Sequence, residues 1–220
     1  MSYATAALAT YANILGTLDN LVAKALSALP RSGGLAVTLE KNLPVAAGLG
    51  GGSADAGAVF RIVEALHGLP DDWQARAAKL GADVPACVLS RTHIGLGTGT
   101  EQLEVEDDLA GTPVLLVNPR VPLSTGPVFK AWDREDRGAL PQGPASKIAR
   151  EGRNDLEAPA IQLCPVIAEV LAALAHTNPW LARMSGSGAT CFALYDTPEA
   201  REGAAAAMPK GWWTMAGRLR

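Results

Sequence analysis

No stretch of this 220-residue sequence gathers enough positive charge to grip a nucleic acid. Nineteen lysines and arginines against 22 acidic residues leave a net charge of −3, and no basic stripe is present to neutralise a phosphate backbone. Cysteine is scarce: Cys87, Cys164 and Cys191 stand far apart in apolar surroundings. An odd, widely spaced set makes neither a disulfide framework nor a zinc knuckle, so the three read as core thiols of a reducing compartment. Aromatic residues are only 5% of the chain, and its five tryptophans are not interleaved with basic residues. They read as packing rather than as base-stacking platforms. His67, His93 and His176 are solitary, with no carboxylate or cysteine at metal-ligand spacing, and read as structural. Residues 1–18 are apolar, yet no Lys or Arg precedes the run and it is too short to span a bilayer. The expectation is a cytoplasmic protein with no nucleic-acid or membrane partner; the oligomeric state is left open.

What is present is ordinary globular composition, 48% hydrophobic and 19% charged, in a chain long enough for one domain or two tightly joined ones. Residues 1–16 carry weak periodicity and read as a lead-in. Leu18, Leu21, Val22, Ala25, Leu26 and Leu29 share one helical face. Residues 35–39 alternate as a half-buried strand would. Ser53 opens a helix to about His67, and a third runs from Asp71, a candidate N-cap, to Leu80. Residues 92–103 and 114–117 read as strands, residues 125–132 as a short helix, and residues 134–153 as the one long loop. The charge run 101–108 reads as a solvated strand edge and turn. Helix returns at 165–176 with Pro in the tolerated first-turn position. Strands near 180–184 and 190–195, a helix over 198–207 and a strand near 212–215 complete the chain. Mixing without strict alternation favours an α+β sandwich over a doubly wound sheet.

The most informative segment is Pro44-Val45-Ala46-Ala47-Gly48-Leu49-Gly50-Gly51-Gly52-Ser53-Ala54. Lying between a strand and a helix, its glycines would form the turn into a helix N-terminus, where the first amides lack intrahelical partners and the dipole is positive. Glycines also remove the Cβ atoms that would hold a phosphate away from those amides. Ser53 would offer a hydroxyl to a phosphate oxygen or a magnesium ion. A Walker A loop is excluded because no lysine follows Gly52. A Rossmann fingerprint is excluded because serine occupies the last glycine position and no βαβ unit surrounds it. A plain tight turn would need fewer than four glycines in five residues.

Gly81-Ala82-Asp83-Val84-Pro85 carries one carboxylate in an apolar, proline-punctuated turn. A partly desolvated aspartate there suits the group that takes the proton of an attacking hydroxyl; from spacing alone it serves equally as a helix cap. Met184-Ser185-Gly186-Ser187-Gly188-Ala189-Thr190 is a second small-residue loop, which alone could be any tight hairpin.

Taken in order, P-x-x-x-G-L-G-G-G-S-A, G-A-D-V-P and M-S-G-S-G-A-T resemble the signature segments of the GHMP kinases over about residues 19–220. The triple glycine before Ser53 resembles the version found in diphosphocytidyl-methylerythritol kinases, a family within that group. The resemblance implies a two-lobed α+β fold, with residues 1–120 the remainder of an ATP-binding domain and 121–220 a C-terminal domain. It implies ATP and Mg2+ on the loop from Pro44 through Ala54, with Ser53 toward the metal, and Asp83 as the catalytic base or hydroxyl-orienting group. It further implies Thr125, Ser187 and Gly188 near the substrate, a cytidine-diphosphate-bearing alcohol of isoprenoid precursor synthesis. Pro122-Leu123-Ser124-Thr125 and Asn154-Asp155-Leu156 also match the family pattern, although Asp155 could equally cap the helix that follows. Another GHMP kinase acting on a different alcohol, and a catalytically impaired nucleotide-binding remnant, stand as alternatives.

The family's opening strand, with its catalytic lysine, has no counterpart: residues 1–16 contain no lysine. A misassigned start, a truncated product or a degenerate relative would each account for this. A cation near the transferring phosphoryl group ordinarily offsets developing charge.

Overall fold

A computed structural model describes residues 20–31, 33–44, 47–97, 99 and 101–220. The lead-in at 1–16, Leu18, Val45 and Ala46 lie outside the described residues. Internal contacts divide the described chain into two units, one of residues 20–43 with 50–104, the other of 44–49 with 105–220. The division at 104–105 differs from the sequence-based boundary near 120 because the strand at 113–118 builds the second unit's sheet. Among the described residues no helix is long and apolar enough to cross a membrane.

The first unit is mainly helical: α1 (Leu21–Ala28), α2 (Gly51–His67), α3 (Trp73–Leu80), α4 (Val84–Leu89) and a hairpin of β1 (His93–Leu96) and β2 (Glu101–Glu104). Asn20 caps α1, its side chain accepting from the Val22 amide at 3.0 Å. Ala56, Val59, Phe60 and Val63 recur on α2 at helical spacing and are fully or almost fully buried. They pack with Val22, Ala25, Leu29, Ala77, Val84 and Val88 into one apolar core. Gly57 brings α2 and α4 together: a Cβ there would lie 2.6 Å from the Cys87 carbonyl carbon.

Several expected elements differ. Residues 35–39 form no strand; Leu35, Val37 and Leu39 rest on the helical core without a ladder partner among the described residues. Residues 92–103 form an antiparallel hairpin, with Ile94 opposite Leu103, and turn through positive-φ glycines at 97 and 99. The α3 N-cap is Asp72, one residue after the expected Asp71, and its carboxylate accepts from Arg76 Nε at 2.7 Å instead of capping.

The second unit is a four-stranded antiparallel sheet with helices. In chain order these are β3 (Pro113–Asn118), α5 (Thr125–Ala131), α6 (Ala145–Glu151), α7 (Glu157–Leu163), α8 (Val166–Ala175), β4 (Leu181–Met184), β5 (Cys191–Leu194), α9 (Pro198–Ala207) and β6 (Trp213–Arg218). The sheet order is β4-β5-β3-β6. The two-residue pleat sends Leu115 and Val117 into the main core with Ile167, Val170, Leu174, Cys191 and Ala193, while Val114 faces a smaller cluster with Leu181 and Leu194. The expected loop at 134–153 contains α6. Its start is tied down when Ser146 N donates to Asp108 Oδ1 at 2.8 Å, and its last turn when Arg150 stacks over Trp180 at 4.3 Å.

Candidate active site

In the first unit, the chain enters α2 through Gly50, a left-handed N-cap with φ +62 that offers no side-chain cap. The helix therefore begins at Gly51, two residues before the expected Ser53. Ala54 N reaches Gly50 O at 2.9 Å, closing the first turn. The amides of Gly51, Gly52 and Ser53 meet no acceptor among the described residues, and neither does the Ser53 hydroxyl. They form an anion-ready helix terminus with glycine at both leading positions.

Ser53 faces the turn into α4: a Cβ on Gly81 would lie 4.0 Å from Ser53 Oγ. One turn further along, Gly57 meets Cys87. The two helices thus run in the same sense, and their N-terminal ends lie together. Asp83 stands at the α4 N-cap position, yet its side chain makes no capping hydrogen bond. It is exposed, not partly desolvated as expected. The reason is local: α4 starts at once and buries Val84 and Pro85, turning the preceding carboxylate outward. A Cβ on Gly99, in the hairpin turn, would lie 3.9 Å from Asp83 Oδ1. Burial raises the Cys87 thiol pKa, and the Asp83 charge raises it further.

Sequence reasoning passed over Lys41, whose Nζ pairs with Asp55 Oδ2 early in α2. Its only readable signal is its position three residues before Pro44.

In the second unit, Ala47 and Gly48 meet the second small-residue loop. Ser185 Oγ donates to Gly48 O at 2.9 Å, and Thr190 N to Ala47 O at 3.3 Å. Gly48 has φ +72, and a Cβ there would fall 2.5 Å from Gly188 O and 2.7 Å from Ser185 O. Two backbones touch where no side chain fits. Ser187 is buried and shares a hydrogen bond with Thr125 Oγ1 at 2.9 Å, so two of the expected substrate-side residues are adjacent. Asn118 Nδ2 donates to buried Thr190 Oγ1 at 2.9 Å. Asn154 Nδ2 donates to Met184 O and Gly186 O, both at 2.9 Å. Asp155 does not cap: it pairs with Arg153, and the α7 N-cap is Leu156.

For magnesium, no three His, Cys, Asp or Glu side chains converge among the described residues. Mg2+ commonly binds through one or two protein oxygens plus substrate phosphates and keeps several waters. The free Ser53 hydroxyl fits that sparse mode.

Two family profiles match the chain: GHMP kinases N terminal domain over residues 6–91, and GHMP kinases C terminal over 139–212. The first reaches back beyond residue 19, where the motif resemblance begins. The chain belongs to the GHMP kinases. Within that family, it is similar to proteins named 4-diphosphocytidyl-2-C-methyl-D-erythritol kinase. The one from Novosphingobium aromaticivorans is 69% identical over 209 residues, covering 93% of this chain and 73% of the relative. The one from Erythrobacter litoralis is 63% identical over 218 residues, covering 96% and 80%. A crystal structure of 4-(cytidine 5'-diphospho)-2C-methyl-D-erythritol kinase superimposes with a TM-score of 0.78 at 31% identity, covering 97% of this chain and 82% of that one.

Proposed function

We propose that this kinase transfers the γ-phosphoryl group of ATP to a hydroxyl of 4-diphosphocytidyl-2-C-methyl-D-erythritol in the cytoplasm. The observation that carries the chemistry is the shared N-terminal end of α2 and α4, with amides on one helix and a carboxylate heading the other that are unpaired among the described residues. The relatives' common name supports the choice of acceptor. In this reading the amides of Gly51, Gly52 and Ser53 hold phosphate oxygens, and the loop from Pro44 through Ala54 surrounds them. Ser53 would offer its hydroxyl to an Mg2+ accompanying ATP, and that ion would supply neutralisation of phosphate charge.

Asp83 accepts the proton as the alcohol oxygen bonds to the γ-phosphorus and the bond to the ADP oxygen breaks. Phosphoryl transfer depends mainly on positioning and electrostatics, so an exposed carboxylate suffices once substrate covers it. Thr125, Ser187 and Gly188 position the acceptor alcohol.

The test is phosphoryl transfer by the purified chain, with Asp83→Asn beside it. The variant should lose about 10²- to 10⁴-fold in kcat while its Kd for ATP stays within about twofold of the parent. Equal loss of ATP binding would remove Asp83 from the base role. A panel containing homoserine and mevalonate decides the acceptor, and preference for either would overturn the cytidine-bearing substrate.

A further inference from the structure

We infer that Asn154 is a positioning residue that fixes the loop after β4 and, through it, Gly48 at the stem of the nucleotide loop. The inference rests on the kinase reading above. The Asn154 side chain is fully engaged: Nδ2 donates to Met184 O and Gly186 O at 2.9 Å each, and Oδ1 accepts from Leu156 N at 3.0 Å. Three bonds leave the amide one orientation.

The bonds fall on both sides of Ser185, whose hydroxyl holds the Gly48 carbonyl at 2.9 Å. Gly186 itself packs on Gly48, since a Cβ there would lie 3.0 Å from Gly48 O. The same chain segment adds a second tie where Glu157 Oε2 accepts from Met184 N at 3.2 Å. Residues 154–157 therefore grip the loop at Met184 N, Met184 O and Gly186 O. Gly48 stands two residues before Gly50, the left-handed cap of α2. Gly48 belongs to the loop assigned to the nucleotide, so drift of the 184–188 loop moves that loop's stem.

Aspartate has the shape of asparagine but only acceptors when ionised. Asn154→Asp sets a carboxylate against two carbonyl oxygens, which raises its pKa. Protonation then restores one O–H donor. Asn154→Ala removes both donors at every pH.

The experiment is calorimetric titration of parent, Asn154→Asp, Asn154→Ala and the nearby control Arg153→Gln with Mg-ATP. Each is measured between about pH 5.5 and 8, with steady-state kinetics alongside and thermal melts to confirm folding. Asn154→Ala should raise the Kd for ATP about ten- to thirtyfold at all pH values. Asn154→Asp should bind more weakly still at pH 8 and recover as pH falls. KM for ATP should rise more than kcat falls, with the control at parent values. Folded Asn154 variants that bind ATP within about twofold of the parent would overturn the inference, as would a defect of Asn154→Asp that is flat in pH. Should Asn154→Asp not fold, Asn154→Ala decides. A parent chain that binds ATP but transfers no phosphoryl group defeats the kinase reading alone.

Discussion

Replacing Gly48 with alanine tests the contact on which the two glycine loops depend. The added Cβ would sit 2.5 Å from Gly188 O and 2.7 Å from Ser185 O. Both obstacles are backbone atoms, so no rotamer change relieves them. The position also has φ +72, which costs an L-residue about 1–2 kcal/mol relative to glycine. Moving the loops apart breaks the bonds from Ser185 Oγ to Gly48 O and from Thr190 N to Ala47 O, each contributing about 1 kcal/mol net. The expected loss is about 3–4 kcal/mol. For a chain of this size, that lowers Tm by about 10 °C. Scanning calorimetry measures it, with Gly126→Ala as the internal control. Gly126 lies in α5 with no atom within 4 Å of an added Cβ, so alanine there should be neutral or stabilise by about 0.5–1 kcal/mol. A Gly48→Ala melt within about 3 °C of the parent, with Gly126→Ala behaving as stated, would show that the loops separate freely and refute the reasoning.

Gly57→Ala drives a methyl group into the Cys87 backbone at 2.6 Å, costing about 1–3 kcal/mol through overpacking. Because α4 carries Asp83 at its head, kcat should fall together with Tm; unchanged values of both would refute the α2–α4 contact. Burial pushes the Cys191 thiol up from an ordinary 9.0 to about 12, with the Glu157 charge and Cys164 adding to the shift. The unfolded chain releases this proton first. The stability contribution is therefore complete below about pH 9 and is lost as pH rises toward 12. Cys191→Ala should make the alkaline decline in Tm shallower between pH 9 and about 11; identical slopes would show that Cys191 does not drive it.

The parts of the fold legible in the sequence are those specified locally. The helix over 198–207 was expected with those bounds and is observed as Pro198–Ala207. Proline stands at its first position, and Thr197 accepts from Ala200 N at 3.1 Å. Segments that depend on distant partners were misread. Residues 35–39 have the strand period but lack a ladder partner among the described residues, so apolar contact with the helical core wins. Proline and glycine around 141–144 mask α6, which is held from outside by Asp108 and Trp180. The turn reading of residues 81–85 missed α4, six residues long, although Pro85 in a first turn is a helix-compatible signal.

The candidate site divides the same way. A glycine that must adopt positive φ or admit a backbone at contact distance leaves its record in the sequence, so the loop ending at Ser53 could be read directly. Its partner could not, because Gly48 and Ser185 are 137 residues apart. The second loop read alone is any tight hairpin; opposed, the two explain one another. Gly186 is small because Gly48 O lies 3.0 Å from where its Cβ would be, and Gly48 is small because Gly188 O and Ser185 O lie closer still. A Cβ at Gly48 or at Gly186 would force both loops to move. Those two glycines are thus one structural requirement, written twice in the chain.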